Sequence, residues 1–172
     1  MHLRTGHCLE TFTSNTPGYA PTAEPADDLA ADELHLSVAK VKLNRRAAWR
    51  KRIASAATRV ALHMGQHSES VLQHALLSEL QTLPGISVHT EVVRPIEYTN
   101  SQHQRITVGI VRFDIVVQTL KHNDTFVLEL KSGVHNKKAT AVQMEKYRQL
   151  LPADTELQLV VFSESTAALF DF

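Results

Sequence analysis

Residues 113–131 read FDIVVQTLKHNDTFVLELK, and this stretch decides the fold. Two apolar runs, Phe113-Asp114-Ile115-Val116-Val117 and Phe126-Val127-Leu128-Glu129-Leu130-Lys131, flank a polar turn from Lys121 to Asp124. Short runs rich in β-branched and aromatic residues, bounded by turn residues, are strands, and so short a link makes them an antiparallel hairpin. Side chains alternate across a strand, so Glu129 and Lys131 share one face while Leu128 and Leu130 share the other. Charges inside apolar strands are costly to bury unless something pairs with them. With the turn centred near residue 122, residue 114 falls opposite about residue 130, so Asp114 lies beside Glu129 and Lys131.

Two carboxylates and an ammonium therefore converge. Asp114 and Glu129, with the backbone carbonyl of Leu130, are oxygen donors suited to a hard cation such as Mg2+ or Mn2+. A lysine beside such a metal orients or deprotonates a water, or stabilises charge on a phosphate. The competing reading is a structural ion pair, or strand-edge charges facing solvent.

Outward from the hairpin, Ile86 to Tyr98 is a preceding strand in which Pro95 marks an edge or a bulge. Ile106 to Leu120 is the strand that holds Asp114. Downstream, a helix runs from about Ala139 to Leu151 and stops at Pro152. Leu157 to Phe162 is a further strand, and Thr166 to Phe170 adds a last turn of helix. Upstream, Ser68 caps a helix over 69–82 that buries Val71, Leu72, Ala75, Leu76, Leu77 and Leu80, and Pro84-Gly85 ends it. Gly65 is the C-cap of an earlier helix over 36–63, with an apolar stripe of Val38, Val41, Trp49, Ile53, Ala57, Val60 and Leu62. Residues 1–33, rich in Thr, Pro, Ala and acids, hold neither period and read as a flexible arm. The order is helix, helix, three antiparallel strands, helix, strand. The fold class is α/β, an α+β sandwich with a central mixed sheet flanked by helices.

The 172 residues carry equal numbers of basic and acidic side chains. Their distribution is uneven, because the segment 34–64 is basic and free of acids while acids crowd the stretch before it. Arg45, Arg46, Arg50, Lys51 and Arg52, joined by Lys137 and Lys138 near the site, are candidate contacts to nucleic-acid phosphates. The competing reading is a solvated helix face. The single cysteine, Cys8, excludes an internal disulfide. No apolar run approaches a membrane span or a signal peptide, so the sequence implies a soluble intracellular protein of cytoplasm or nucleus without a membrane partner. The histidines show no zinc spacing, and neither a serine nucleophile elbow nor a phosphate-cradling glycine loop is present.

Asp114 followed by Glu129-x-Lys131 on the next strand resembles the signature of the PD-(D/E)xK nuclease superfamily. Glu69 matches the acid often found in the preceding helix of that superfamily, and Gln143 with Tyr147 matches the Gln-x-x-x-Tyr of RecB-like members. The run from Glu69-Ser70-Val71 to Phe162 looks most like the GxxExxY subgroup, although that subgroup's glycine would fall at Gln66 and its tyrosine at Leu72. The likeness covers about residues 65–163. It implies a restriction-endonuclease-like domain over 65–172, behind a basic helical segment over 34–64. It also implies a metal-dependent nuclease, acting on DNA rather than RNA, with Asp114, Glu129, Leu130 and Glu69 at a Mg2+ or Mn2+ ion. Lys131 would position the water, and Gln143 and Tyr147 would assist. Glu69 has a plainer reading as a first-turn acid facing the helix dipole. Gln143 and Tyr147 have one as a helix face packed on the sheet. The alternative function is an inactive nuclease fold that binds nucleic acid or a protein. A homodimer or larger complex would supply the specificity so small a chain lacks.

Overall fold

A computed structural model describes residues 27–133 and 135–172, with side chains from residue 35 onward. Its elements are α1 (Asp27–Met64), α2 (Glu69–Gln81), β1 (Ile86–Thr99), β2 (Arg105–Thr119), β3 (Thr125–Ser132), α3 (Lys137–Leu150), β4 (Glu156–Phe162) and β5 (Ala167–Asp171). The chain divides into two units, Met1–Ala39 and Lys40–Phe172. Of the first, the described residues 27–39 are helical. The flexible arm expected over 1–33 lies outside the described residues up to 26, and 27–33 belong to α1. That stretch, DDLAADE, opens the helix with acids, which favour a helix N-terminus.

Within the second unit, β1 to β5 make one sheet in sequence order. The β1–β2, β2–β3 and β4–β5 pairs are antiparallel, and β3–β4 is parallel. Adjacent parallel strands need a crossover, which α3 supplies. Pro95 lies in the edge strand β1, next to a register shift at Ile96/Glu97, where a missing N–H does least harm. The helical turn expected at Thr166 to Phe170 is instead β5, hydrogen-bonded to β4 after a tight turn in which Ser163 N–H donates to the Thr166 carbonyl. Five residues are too few for a helical period to be told from alternation, and the open edge of β4 selects the strand.

The two faces of the sheet bury separate clusters. On one, Ile53, Ala56, Ala57, Val60 and Ala61 of α1 and Leu72, Leu76 and Leu80 of α2 pack against Ile115, Val117, Phe126, Leu128, Leu130, Val160 and Phe162. On the other, Met144 and Tyr147 of α3 pack against Phe113, Val127, Leu157 and Leu159. The contacting face of α1 therefore has the helical spacing i, i+3, i+4, i+7, i+8. It differs from the expected stripe, since Val38, Val41 and Leu62 are exposed. The alanines are used because they let the helix lie close to the sheet. Gly65 serves the same closeness: a Cβ there would stand 1.8 Å from the Glu164 carbonyl oxygen. The boundary expected at 64/65 thus falls inside the unit Lys40–Phe172.

One irregularity matters for the site. Thr90 pairs with Ile115 and Val92 with Phe113, which sets Glu91 across from Asp114. Glu91 has φ 53°, a left-handed conformation foreign to a strand. Ile115 and Val117 face α1 and α2, yet Phe113, two residues from Ile115, faces α3. Residues two apart in a regular strand point the same way, so the pleat changes phase at Asp114.

Candidate active site

β3 presents Phe126, Leu128 and Leu130 to one core and turns Val127, Glu129 and Lys131 to the α3 side, as alternation requires. Glu129 is almost wholly buried, its side chain 3% exposed. Its Oε1 accepts from Lys131 Nζ at 2.5 Å and from Gln143 Nε2 at 2.7 Å. Gln143 Nε2 also reaches the Tyr147 hydroxyl at 2.7 Å, and that hydroxyl donates to the Arg112 carbonyl at 3.1 Å. The two helix residues, four apart, thus form a strut from α3 to Glu129. Tyr147 adds an edge-to-face contact with Phe113, with ring centroids 5.0 Å apart.

Asp114 comes from β2. Its Oδ2 accepts the backbone N–H of Leu130 at 2.7 Å. Lys131 Nζ donates to the Leu130 carbonyl at 2.9 Å and lies 3.8 Å from Glu69 Oε1, at the start of α2. Ser68 is the N-cap of α2, though without a side-chain capping bond. Asp114, Glu129, Lys131, Glu69, Gln143 and Tyr147 are therefore all brought together.

Burial pushes the Glu129 carboxyl up to about 7, and the neighbouring Asp114 charge adds to this, against the hydrogen bonds from Lys131 and Gln143. Burial also raises Asp114, offset by the Leu130 N–H and by Lys131. For Lys131, burial works downward, but the bond to Glu129 and the charges of Glu129, Glu69 and Asp114 outweigh it and hold the ammonium above its ordinary value. A raised Glu129 and a short bond to a fully charged Lys131 pull in opposite directions. The direction that stands is upward for Glu129, because desolvation is its largest cause.

The donor set fits a divalent cation in one respect above all. Both hydrogen bonds to Glu129 end on Oε1, while Oε2 is buried with no partner. A buried carboxylate oxygen left bare is an acceptor awaiting a cation or a proton. Asp114 and the Leu130 carbonyl supply further hard oxygens. Among the described residues, no group of three or more His, Cys, Asp or Glu gathers that could hold a metal. Two carboxylates completed by waters is the pattern Mg2+ favours.

Two further neighbours of the site stand outside the residues expected from the sequence. Gln73, one turn after Glu69 on α2, donates from Nε2 to Glu91 Oε1 at 2.9 Å and to the Asp114 carbonyl at 3.0 Å. Its spacing of four from Glu69 was the available signal. Nothing in the sequence marks Glu91.

The basic residues of α1 are placed elsewhere. Arg45 and Arg46 bond the carboxylate of Asp124 at 2.6 and 3.2 Å. Arg46 and Arg50 bond Glu156, and Arg50 also approaches Asp171. Asp124 precedes β3 and Glu156 opens β4, so this cluster sits about 20 Å along the strands from Lys131. The arginine hydrogen bonds hold Asp124 below the ordinary carboxylate range despite its burial. In Arg45, Arg46 and Arg50, expected from the sequence to meet phosphates, the guanidiniums fasten α1 to the sheet. Arg52 lies over the Trp49 ring at 4.1 Å, and Lys51 is exposed. Lys137 and Lys138 are exposed at the start of α3, the helix that reaches Glu129.

No helix among the described residues is long and apolar enough to cross a membrane. A family model described as the PD-(D/E)XK nuclease superfamily matches residues 47–168. The match begins within α1, so the helix read from the sequence as lying outside the likeness contributes to the matched region. No curated protein matches the chain significantly. Among solved structures, one described as "Crystal structure of SSO0001" is similar at 20% identity and a TM-score of 0.44, over 60% of this chain and 49% of that one. The chain thus spans about half the length of that protein, and a likeness of this size carries no argument.

Proposed function

The chain belongs to the PD-(D/E)XK nuclease superfamily, and from that premise we propose that it hydrolyses phosphodiester bonds in nucleic acid, DNA rather than RNA, with Mg2+ or Mn2+. The observation that carries this reading is the bare, buried Oε2 of Glu129 beside Asp114 and Lys131. Asp114, Glu129 and the Leu130 carbonyl would hold the cation, with Glu69 at the rim. When bound, the cation supplies Lewis-acid charge for the phosphate and lowers the pKa of a water. Lys131 orients the attacking water and stabilises developing charge on the phosphate. Gln143 and Tyr147 keep Glu129 aimed. Lys137, Lys138, Lys51 and Arg52 remain available to phosphates away from the scissile bond.

Within the superfamily, the GxxExxY and RecB-like groups are the nearest kin we propose, on the strength of Gln143 and Tyr147 standing on Glu129. A homodimer or larger complex remains our reading of how a chain of this size would gain specificity.

The alternative is a nuclease fold that binds nucleic acid or a protein without cleaving. It draws support from Lys131 Nζ, which already bridges Glu129 and the Leu130 carbonyl and so neutralises the pocket without a metal. The test is incubation with single- and double-stranded DNA and RNA, with and without Mn2+, beside Asp114→Ala and Lys131→Ala. Metal-dependent cleavage lost in both variants supports the nuclease. Cleavage that survives both changes overturns it, and retained DNA binding without Mn2+ binding or cleavage supports the alternative.

A further inference from the structure

We infer that Glu91 and Gln73 are positioning residues that hold the backbone of Asp114 in the phase change which sends its carboxylate to β3. The inference rests on reading Asp114 as a site carboxylate, but its geometry is independent of cleavage. In a regular strand, Asp114 would share the orientation of its even-numbered neighbours and the ladder would continue past it. Here β1 and β2 both break phase at one rung without shifting register, since Thr90↔Ile115 and Val92↔Phe113 keep the same offset. The break is seen in Glu91 at φ 53°. A non-glycine residue keeps such a conformation only where its surroundings over-determine it.

Those surroundings are visible. One oxygen of the Glu91 carboxylate accepts from Gln73 Nε2 at 2.9 Å, and the other meets Arg112 Nε at 2.8 Å. The same Gln73 amide donates to the Asp114 carbonyl at 3.0 Å. The Asp114 backbone is thereby tied to α2, and its side chain is free to turn toward Leu130 N–H. Gln73 and Glu69 lie four apart on α2, so a single helix edge touches Lys131 with one residue and fixes Asp114 with the other.

The experiment compares the full chain with Glu91→Gly, Glu91→Gln and Gln73→Ala. Glycine accepts the left-handed φ, so Glu91→Gly removes the carboxylate while relieving backbone strain, and its fold persists. The first readout is hydrogen exchange at the Leu130 amide, measured against Leu128 in the same strand. The second is Mn2+ affinity by electron paramagnetic resonance titration, and the third is the split between kcat and KM on a DNA oligonucleotide. In Glu91→Gly and Gln73→Ala the Leu130 amide is expected to lose protection selectively. Mn2+ affinity and kcat are expected to fall about 10- to 100-fold with KM nearly unchanged, as for other residues that orient a metal-binding side chain. Glu91→Gln keeps an acceptor oxygen and recovers most of the loss. Wild-type Leu130 protection in Glu91→Gly and Gln73→Ala overturns the inference. If the wild-type protein itself neither binds Mn2+ nor cleaves, the nuclease reading fails, and the Leu130 amide still decides the positioning role.

Discussion

The carboxylate of Asp114 accepts the backbone N–H of Leu130 at 2.7 Å, across the gap between β2 and β3. The paired ladder of these strands ends at Ile115↔Leu128. A side chain thus takes the place of the next rung and ties β2 to the residue between Glu129 and Lys131. Because that carboxylate also stands in the candidate metal site, its structural and chemical roles can be separated by substitution.

Asp114→Asn retains an acceptor for Leu130 N–H, whereas Asp114→Ala leaves that donor bare. Urea unfolding should show a loss of about 1–3 kcal/mol for the alanine variant and a smaller one for asparagine. Metal-dependent cleavage should disappear in both, because neither supplies the charge. Wild-type cleavage by Asp114→Asn would show that the charge is not needed.

Lys131 Nζ donates to Glu129 Oε1 and to the Leu130 carbonyl, and so puts its charge beside the carboxylate and the carbonyl proposed for the cation. Removing a like charge from that position favours a divalent ion. Lys131→Met at pH 8 should therefore bind Mn2+ about tenfold more tightly than wild type and yet lose cleavage by about 100-fold or more. Titration calorimetry and a cleavage assay measure the two effects. Weaker Mn2+ binding in Lys131→Met would mean that the lysine supports the cation instead of competing with it.

Burial pushes the folded Glu129 carboxyl up to about 7, above its ordinary value of 4.5. Between those values the native state binds the proton more tightly than the unfolded chain, so stability falls as pH rises through that window. For so buried a group the fall is on the order of 3 kcal/mol. Lys131, raised above 10.5, contributes evenly across this range. Asp124, held below 3.8, has its full contribution above that value and loses it only at lower pH. Glu129→Gln should therefore flatten the profile of unfolding free energy against pH between about 4.5 and 7. An unchanged slope in that variant counts against the raised carboxyl.

The arginines of α1 and the lysines of α3 should behave oppositely. Asp124→Ala strips the partner from Arg45 and Arg46 and should cost about 2 kcal/mol, discounted for the partial exposure of both guanidiniums, with DNA affinity unchanged. Lys137→Ala with Lys138→Ala should leave stability alone, and should lower the salt dependence of DNA binding by about one unit for each phosphate that no longer meets a lysine. Fluorescence anisotropy across a salt series distinguishes them. An Arg45→Ala variant that folds normally but binds DNA less tightly would reverse the assignment.

Gly65 has no room for a methyl group, since its Cβ would stand 1.8 Å from the Glu164 carbonyl oxygen and 2.7 Å from that of Ala61. Both obstacles are backbone and cannot rotate aside. Gly65→Ala should destabilise the protein by about 3 kcal/mol or more, visible as a lower thermal midpoint. A midpoint equal to wild type would mean that α1 and the β4–β5 turn can separate at no cost.

Relations between nearby residues were legible in the chain before any folding was known. Alternation along β3 put Glu129 and Lys131 on one face, a short turn folded Asp114 back onto them, and a spacing of four put Gln143 and Tyr147 on one side of α3. Backbone geometry enforces these relations whatever the rest of the chain does. Long-range packing, by contrast, pairs Arg45 and Arg46 with Asp124, 79 and 78 residues away, and seats α1 on its alanines under a glycine-tight turn. Packing also makes the pleat change phase at Asp114, so that Gln73 and Glu91 join the site. Each of these joins surfaces distant in sequence, where many partners are chemically acceptable and only the packed sheet selects among them.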